Sequence, residues 1–459
     1  MKKFLTVLLA VACAFTLVAC GSGSDSDTGS GTTTTAYPTE LSDKAFGHTI
    51  KYDPELPVNN GEEITIDYWL WTSDAIWQSV VDAYTEIHPN VHINIVNNNF
   101  DDFFVKLAVA IGDESGPTLF NMHVSNEDLV INNMAPYAIP VEELEADYNG
   151  VEDHIKEDGN VYYLDIGYMT GSIFYNKTMW SEAGLTDADI PKTWDEFFEV
   201  AKKLTVKDAT GNITRAGWNC QGYVNSNYIM GVGYQLGQGL FEDDMKTADI
   251  NNEANIKIMQ MLLDNINSGE ITNMDFTNEA LVSFATGGTA MISSWGWLND
   301  YLVANFPDVD FGVFEIPVFD TENVYAYNRT NTESTMGINA NATEAQQAVA
   351  QDFVRFFLAN DECMTKVDLG YSTFPSKKAL VDNEEIMANK ALASVKDHIS
   401  QYVNPGSLPA TFETNLKIME EDVFYNGMDI AEALQKAEDA INDDLAETDF
   451  VSIENQYKK

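Results

Sequence analysis

The stretch "EITIDYWLWTSDAIWQSVVDAYTEIHPNVHINIV" (residues 63–96) contains one complete strand–helix–strand pattern. Residues 63–72 begin with apolar and β-branched side chains, which favours a strand. The next segment repeats apolar residues at helical spacing, namely Ile76, Val80, Tyr84 and Ile87. Pro89 ends the helical pattern, and residues 91–96 then alternate between apolar and polar as a second strand does.

The same order continues along the chain. Residues 101–116, "DDFFVKLAVAIGDESG", put Phe104, Leu107 and Ile111 on one helical stripe, and "PTLFNMHV" (117–124) is typical of a third strand. A β-α-β-α-β order predicts an α/β fold, in which a parallel sheet is covered by helices on its faces.

Length and charge limit the function. A chain of 459 residues is too long for one ordinary domain, so we expect two. Its 25 basic and 72 acidic residues give a formal charge of −47. Such a chain repels phosphate backbones and anionic lipid head groups, which excludes nucleic acid as a partner.

The first twenty residues, "MKKFLTVLLAVACAFTLVAC", have the features of an export signal. Lys2 and Lys3 precede the apolar stretch 4–18, which is shorter than a comfortable membrane span. Leu17 stands three residues before Cys20, a pattern that resembles a bacterial lipobox. We expect residues 1–19 to be a signal peptide and Cys20 to be lipidated, which anchors the chain at the extracytoplasmic face of the cell membrane. An uncleaved anchor helix is the alternative.

A low-complexity segment follows the lipobox. Residues 21–36 contain no large apolar side chain and predict a flexible tether, so residues 20–61 are assigned to the lipidated cysteine and tether. No later stretch reaches 18 consecutive apolar residues. Cleavage leaves Cys220 and Cys363 besides the lipidated cysteine; buried free thiols are favoured over a disulfide, although the pairing stays open.

Motifs for catalysis, metals and cofactors are missing or weak. The chain lacks G-x-S-x-G, H-E-x-x-H and a P-loop, and "GVGYQLGQG" (231–239) lacks the glycine spacing of a dinucleotide site. His88 and His92 are separated by Pro89, so we expect surface histidines and not a metal pair. Close carboxylates such as Asp101–Asp102 arise by chance in so acidic a chain. We therefore expect no catalytic residue, metal or cofactor.

Aromatic residues mixed with polar ones are the remaining signal. In open α/β sheets ligands collect at the carboxyl ends of strands, and aromatic rings pack on the C–H faces of sugars. The candidate binding residues from this pattern are Trp71, Asp74, Tyr168, Trp218, Trp295 and Trp297. Residues of the same parity in an extended stretch face one way, so we expect Trp295 and Trp297 to share a face, with Gly296 leaving room beside them. Trp194, at a helix start capped by Thr193, is expected in the core.

One long segment identifies a family resemblance. Residues 159–205, "GNVYYLDIGYMTGSIFYNKTMWSEAGLTDADIPKTWDEFFEVAKKLT", resemble the central signature of the family 1 extracellular solute-binding proteins of ABC transporters. Later blocks follow in the family's order, namely "LGQGLFEDD" (236–244), "INNEANIKIMQMLLD" (250–264), "FATGGTAMISSWGW" (284–297), "FGVFEIPVF" (311–319), "TMGINANATEAQQAVAQDFVRFFLAN" (335–360) and "LGYSTFPSKKAL" (369–380). The resemblance covers about residues 62–455, and the maltodextrin-binding proteins are the best-understood relatives.

The resemblance implies a type II periplasmic-binding-protein fold, in which each of two lobes has a mostly parallel sheet flanked by helices and the ligand lies between them. It assigns residues 62–165 and 312–368 to lobe 1, and residues 166–311 and 369–459 to lobe 2. It adds candidate ligand residues to the aromatic ones, namely His123, Asn126, Met169, Thr170, Arg329, Glu333 and Phe412. Met169 stands where the maltodextrin binders have a charged group, which argues against a maltose-type ligand.

The implied function is the substrate-binding component of a carbohydrate ABC importer, a monomer without catalysis that closes on an oligosaccharide and delivers it to the permease subunits. A rival within the binding class takes a peptide, polyamine or metal instead; an acidic cleft would favour a cation, whereas stacked tryptophan favours a sugar. An enzyme with two cleft carboxylates and a ligand-sensing partner of a membrane receptor are further alternatives.

Overall fold

A computed structural model describes residues 37–71, 74–124, 127–219, 228–273, 280–406 and 408–454. The side chains of residues 74 and 100–102 are outside this description. The chain divides into a unit of Met1–Thr39, described over residues 37–39, and a unit of Glu40–Lys459 that carries the fold. The predicted signal peptide, the lipidation site at Cys20, and Cys220 lie outside the described residues. Cys363 is a buried free thiol, and burial raises its pKa to about 11.

The N-terminal part of the larger unit corrects one prediction. Residues 46–61 are not a tether: strands β1 (Phe46–Gly47) and β2 (Lys51–Tyr52) form an antiparallel hairpin. The hairpin packs on the fold because Ile50 and Tyr52 are apolar enough to be buried, and the Tyr52 hydroxyl donates to Asp352 Oδ2 at 2.8 Å.

The first sheet has the predicted parallel order. Its strands are β3 (Ile64–Leu70), β4 (Val91–Asn97), β5 (Leu119–Asn121) and β12 (Met336–Ile338). Strand β3 pairs in parallel with β4 and with β5, and β12 adds an antiparallel edge to β5. Helices α1 (Asp74–Ile87) and α2 (Phe100–Ala110) connect the parallel strands, which confirms the β-α-β-α-β prediction.

The second sheet is built around a crossing strand and differs from the expected mostly parallel arrangement. Strand β6 (Asp165–Asn176) is its centre. Its partners, all antiparallel to it, are β9 (Met291–Trp295), β10 (Phe311–Glu315), β11 (Thr330–Ser334) and β13 (Phe374–Pro375). Strands β6 and β11 are antiparallel because β6 leads the chain away from the first sheet and β11 leads it back. Strands β7 (Val206–Lys207) and β8 (Ile213–Arg215) form a separate hairpin.

Helices α1 and α2 occupy the two segments that the apolar spacing predicts as helical. The remaining helices are α3 (Glu127–Val130), α4 (Val141–Asp147), α5 (Lys177–Glu182), α6 (Trp194–Leu204), α7 (Glu253–Asn267), α8 (Ala280–Ala285), α9 (Leu298–Asn305), α10 (Glu344–Ala359), α11 (Asp361–Tyr371), α12 (Glu384–Met387), α13 (Lys390–Val395), α14 (Ala410–Phe424) and α15 (Ile430–Leu445). The predicted capping box of α6 is present, since Thr193 accepts from the Glu196 amide and Glu196 accepts from the Thr193 amide. Trp194 is buried in the core, as expected. Among the described helices, none is long and apolar enough to cross a membrane.

Two large cores define the lobes. Lobe 1 is built on the first sheet around residues such as Tyr68, Trp77 and Phe353. Lobe 2 is built on the second sheet around residues such as Trp194 and Trp218.

The chain changes lobe later than the sequence blocks suggested. The apolar residues Phe314, Ile316 and Ala326 belong to the lobe 2 core, so residues 312–326 do not join lobe 1. The lobe 1 core resumes at Met336 and includes residues as late as Leu392, whereas Val403 belongs to the lobe 2 core. Block order along the chain does not reveal which core a returning strand joins, because either core accepts an apolar strand.

Candidate functional site

The ladder of β6 and β11 brings several candidate residues together. Its register pairs Met169 with Asn331 and Gly167 with Glu333, while β9 pairs Trp295 with Gly171. Paired residues of an antiparallel ladder point to one face, and residues two apart along a strand share that face. Met169, Glu333 and Trp295 are therefore on one face of the crossing strand.

Tyr168 and Thr170 are on the opposite face of β6, opposite Thr332 and Thr330. Tyr168 is half-buried, and its pKa is raised by burial first and then by the charges of Asp165, Asp153 and Glu152. Thr170 is buried and its hydroxyl donates to the carbonyl of Arg329 at 2.8 Å. Thr170 thus holds the backbone that carries Arg329.

Trp295 and Arg329 form the main aromatic contact of this region. The guanidinium Cζ of Arg329 lies 5.1 Å from the centroid of the Trp295 ring, a cation–π distance. Arg329 is buried, and burial lowers its pKa to about 10, against the opposing effects of Glu413 and Tyr234. Trp295 is half-buried. It therefore keeps accessible aromatic surface beside a buried cation.

Trp297 corrects a sequence prediction. It does not continue an extended stretch, because its φ of −56° and ψ of −23° are helical and it precedes α9 directly. Its ring packs edge-on to Tyr301 at 6.2 Å, beside the apolar cluster that covers one side of the second sheet. A side chain at Gly296 would put a Cβ 3.2 Å from the Ser372 carbonyl oxygen, which is tighter than an ordinary contact. The glycine is needed for this close approach.

Trp71 lies in lobe 1, at the end of β3. Its half-buried ring lies 5.2 Å from Phe103 and 6.2 Å from the His123 imidazole, measured between ring centroids. Burial lowers the pKa of His123 to about 4, although the charge of Asp165 opposes the shift. His123 is therefore neutral near pH 7 and packs as an uncharged ring against Trp71. Asp74 begins α1, with its side chain outside the description, and Asn126 lies outside the described residues.

Two candidates are part of the lobe 2 core. Trp218 is fully buried and its indole Nε1 donates to Ser293 Oγ at 3.2 Å. Phe412 is also fully buried and packs 5.3 Å from the Phe241 ring. Neither ring presents accessible surface to a ligand, so both are left out of the site proposed below.

Glu333 carries an unusual electrostatic environment. Burial first, and the charge of Asp165 second, raise the pKa of its carboxyl to about 7. Asp165 is itself buried and its Oδ2 lies 3.1 Å from His154 Nε2. Burial lowers the pKa of His154, but the Asp165 carboxylate reverses that effect and the net shift is upward.

Sequence reasoning missed an acidic cavity beside the crossing strands. A cavity of about 710 Å³ is lined by residues of α3, of a short 3-10 turn (Val151–His154), of β6 and of the C-terminal segment 447–453. The acid-rich stretch 152–158 was its one local signal, but its other wall comes from a segment almost 300 residues away. His88, expected at the surface, is buried against Tyr52, while His92 is exposed and contacts Glu63. Within the described part of the chain, no group of three His, Cys, Asp or Glu side chains is arranged to hold a metal ion.

Comparisons with known proteins support the resemblance. The model of the bacterial extracellular solute-binding protein family matches residues 68–362. The multiple sugar-binding protein of Streptococcus mutans is 24% identical over 275 residues, which cover 57% of this chain and 64% of that protein. The sn-glycerol-3-phosphate-binding periplasmic protein UgpB of Brucella abortus is 26% identical over 181 residues, or 36% of this chain and 38% of that protein. The chain thus spans less than two thirds of the length of these curated relatives.

A solved structure extends the likeness to the whole fold. The GacH receptor of Streptomyces glaucescens aligns with a TM-score of 0.67 at 19% identity, covering 85% of this chain and 99% of that one. At this identity the likeness establishes the fold, which is the expected two-lobe periplasmic-binding-protein architecture.

Proposed function

The chain belongs to the bacterial extracellular solute-binding proteins, and we propose that it captures a carbohydrate for an ABC importer. The ligand class is an oligosaccharide. The protein binds it between the lobes and delivers it to the permease subunits, which bind the closed form. It is anchored outside the cytoplasm by a lipid on Cys20 and works as a monomer.

The pair Trp295 and Arg329 carries this proposal. A half-buried indole offers a flat apolar face to the C–H face of a sugar ring, and the guanidinium beside it provides donors for hydroxyl groups. Thr170 stabilises the backbone of Arg329, so the pair is held in place before a ligand arrives. The name of the Streptococcus mutans relative, a multiple sugar-binding protein, agrees with a carbohydrate.

The mechanism needs no chemical step. Trp295 ends β9 of the second sheet, Trp71 follows β3 of the first sheet, and β6 with β11 crosses between the two cores. A ligand that touches both lobes binds the closed arrangement better and shifts the population toward it. Trp295, Arg329, Met169 and Glu333 of the crossing region, with Trp71, Asp74, His123 and Asn126 from lobe 1, are the proposed binding residues. Tyr168 and Thr170 are proposed to support them from the opposite face of β6. Trp297 is proposed as a neighbour that buttresses Trp295 through α9.

A thermal-shift screen of the mature chain, with Cys20→Ser to prevent lipidation, tests the proposal. A ligand that binds only the folded state stabilises it by RT ln(1 + [L]/Kd), about 2.7 kcal/mol at a hundredfold excess over Kd. We expect one oligosaccharide class to raise the midpoint and Trp295→Ala to abolish that rise. The control is Tyr425→Ala, which removes an exposed aromatic ring of lobe 2 and should leave the rise unchanged.

A non-sugar ligand is the second candidate, favoured by the acidic cavity beside β6. In the same screen, an unfolding midpoint that rises with a polyamine or peptide, and with no sugar, would support this candidate. Glycerol phosphate, named for the Brucella relative, is disfavoured because its phosphate would meet the carboxylates of that cavity.

A further inference from the structure

The acidic cavity has walls from both lobes. Lobe 1 contributes α3 and the 3-10 turn Val151–His154, and lobe 2 contributes Asn404, Gly406, Pro409 and the C-terminal segment 447–453. Asp165 of β6 and Thr332 of β11 line it where the crossing strands pass. Its volume of about 710 Å³ is in the range of small-molecule sites.

The cavity is strongly negative. Six carboxylates line it, namely Glu127, Asp128, Asp153, Asp165, Glu447 and Asp449. Among the described residues of this lining, Lys156 is the one lysine or arginine, and its Nζ is already held 2.6 Å from Glu127 Oε1. Even with a proton on His154, negative groups outnumber positive ones by six to two. A cation would be attracted here and an anion repelled.

A buried acceptor points to a ligand and not merely to a solvated acidic surface. Asp165 is 4% exposed, and its Oδ1 has no hydrogen-bond partner among the residues that the structure describes. The same holds for Nδ1 of His154, which is also 4% exposed. Buried carboxylate oxygens without a donor are costly, so such an atom in a cavity wall is satisfied best by a donor that enters the cavity.

We propose that this cavity receives an ammonium group of the ligand, with Asp165 Oδ1 as its acceptor, so that the captured carbohydrate is an amino sugar. The inference rests on the proposed function for the sugar part, whereas the ammonium site stands on the cavity alone. An ammonium group provides up to three donors, and its charge matches the surplus of carboxylates. A metal ion fits less well, because the described side chains do not form a coordinating group of three.

The raised pKa of Glu333 agrees with this electrostatic picture. Its carboxyl resists ionisation because of burial and because Asp165 repels a second negative charge. A cation bound at Asp165 would relieve that repulsion. Ligand binding is therefore expected to be weakened by salt, since added ions screen the partly exposed carboxylates of the cavity.

The test uses two matched oligosaccharides and the mature chain carrying Cys20→Ser, in an amine-free buffer acidic enough to protonate glucosamine. The probes are the β-1,4-linked tetramer of glucosamine and cellotetraose, which differ in an amino group for a hydroxyl on each ring. Cadaverine and its neutral analogue 1,5-pentanediol test the ammonium site without a sugar. Calorimetric titration gives the Kd of each.

Two variants test the site and one controls for net charge. Asp165→Asn removes the negative charge of the proposed acceptor and replaces one carboxylate oxygen by an NH₂ group. Asp128→Asn with Asp449→Asn removes two carboxylates of the cavity that are exposed and therefore take no part in core packing. The control is Glu86→Gln with Glu421→Gln, two exposed carboxylates that do not line the cavity. We expect Asp165→Asn to weaken the glucosamine tetramer about tenfold or more and the control to change it little.

Each outcome decides the inference. Tighter binding of the glucosamine tetramer than of cellotetraose, lost in a folded Asp165→Asn and weakened in the double variant but not in the control, supports it. The same preference retained in a folded Asp165→Asn overturns it. If Asp165→Asn does not fold, the double variant decides in the same way. Equal binding of the two tetramers overturns it and leaves the carbohydrate function intact. If cadaverine binds but pentanediol and both tetramers do not, the ammonium site is supported and the carbohydrate function is overturned. If neither the glucosamine tetramer nor cadaverine binds, the ammonium site is overturned.

Discussion

Trp218 and Trp295 lie near the same strand of lobe 2 but have opposite environments. Trp218 donates to Ser293 of β9 and is enclosed by Phe197 and Phe198, with ring centroids 5.5 and 5.6 Å away. Trp295, two residues beyond Ser293, keeps a half-buried ring under the Arg329 guanidinium. The difference teaches that a tryptophan is a core residue when it is fully buried among aromatic rings and hydrogen-bonded, and a binding candidate when it is only half-buried and contacts a charged group.

The largest effect on stability is expected at Trp218. Trp218→Ala removes a fully buried ring and leaves a cavity, which should lower the free energy of unfolding by about 3–5 kcal/mol. Denaturant titration of this variant beside Trp295→Ala measures the difference between the two sites. If Trp218→Ala costs no more than Trp295→Ala, the distinction between core and site is wrong.

The next largest effect on stability is expected at Glu333 of β11, which lies on the same face of the second sheet as Trp295. Its pKa rises from an ordinary 4.5 to about 7 on folding, so the folded state binds the extra proton and stability falls as pH rises through that window. Glu333→Gln removes the penalty. The variant should gain about 1–3 kcal/mol above pH 7 and lose this gain below pH 4.5, in denaturant titrations at several pH values.

A gain that does not depend on pH would contradict this account of Glu333, since glutamine would then act through packing. Glu315 provides a comparison, because its carboxyl is also raised in pKa by burial but accepts from Tyr402 and contacts His398. Glu315→Gln keeps an oxygen for the Tyr402 hydroxyl but replaces the oxygen that contacts His398 Nδ1 by an NH₂ group, so it should not stabilise the protein at high pH.

The smallest effect is expected at the cap of α6, the helix that carries Trp194 into the Trp218 cluster. Thr193→Ala removes the side chain that accepts from the Glu196 amide and should cost about 1 kcal/mol. Thr193→Ser should retain most of the stability. Equal losses in the two variants would mean that the methyl group, and not the cap, matters.

Local patterns predicted the elements well because local physics determines them. The capping box at Thr193 and the strand–helix–strand order of residues 63–96 depend on neighbours in sequence, and both are present. The burial of Trp218 was not predictable in the same way, because Ser293 and Tyr228 complete its environment from elsewhere in the chain. The helical start at Trp297 was hidden by a glycine that also suits an extended stretch.

The candidate site was predictable only in part. The pattern of aromatic residues near strand ends predicted Trp295, and the family resemblance added Arg329. Neither signal indicated that the two side chains form a cation–π contact. The acidic cavity joins residues 152–165 to residues 447–453, which no short motif links. Contacts between segments so far apart in sequence depend on how the two cores pack, and sequence patterns within one segment do not predict that packing.

The most direct test of the central claim is the ligand-induced shift of the unfolding midpoint, compared between the mature chain and Trp295→Ala. We predict that one oligosaccharide class raises the midpoint of the unaltered chain, that Trp295→Ala folds with nearly the same midpoint alone, and that the rise disappears in this variant. A rise of the same size in Trp295→Ala would contradict the account, because the ring would then contribute nothing to ligand capture.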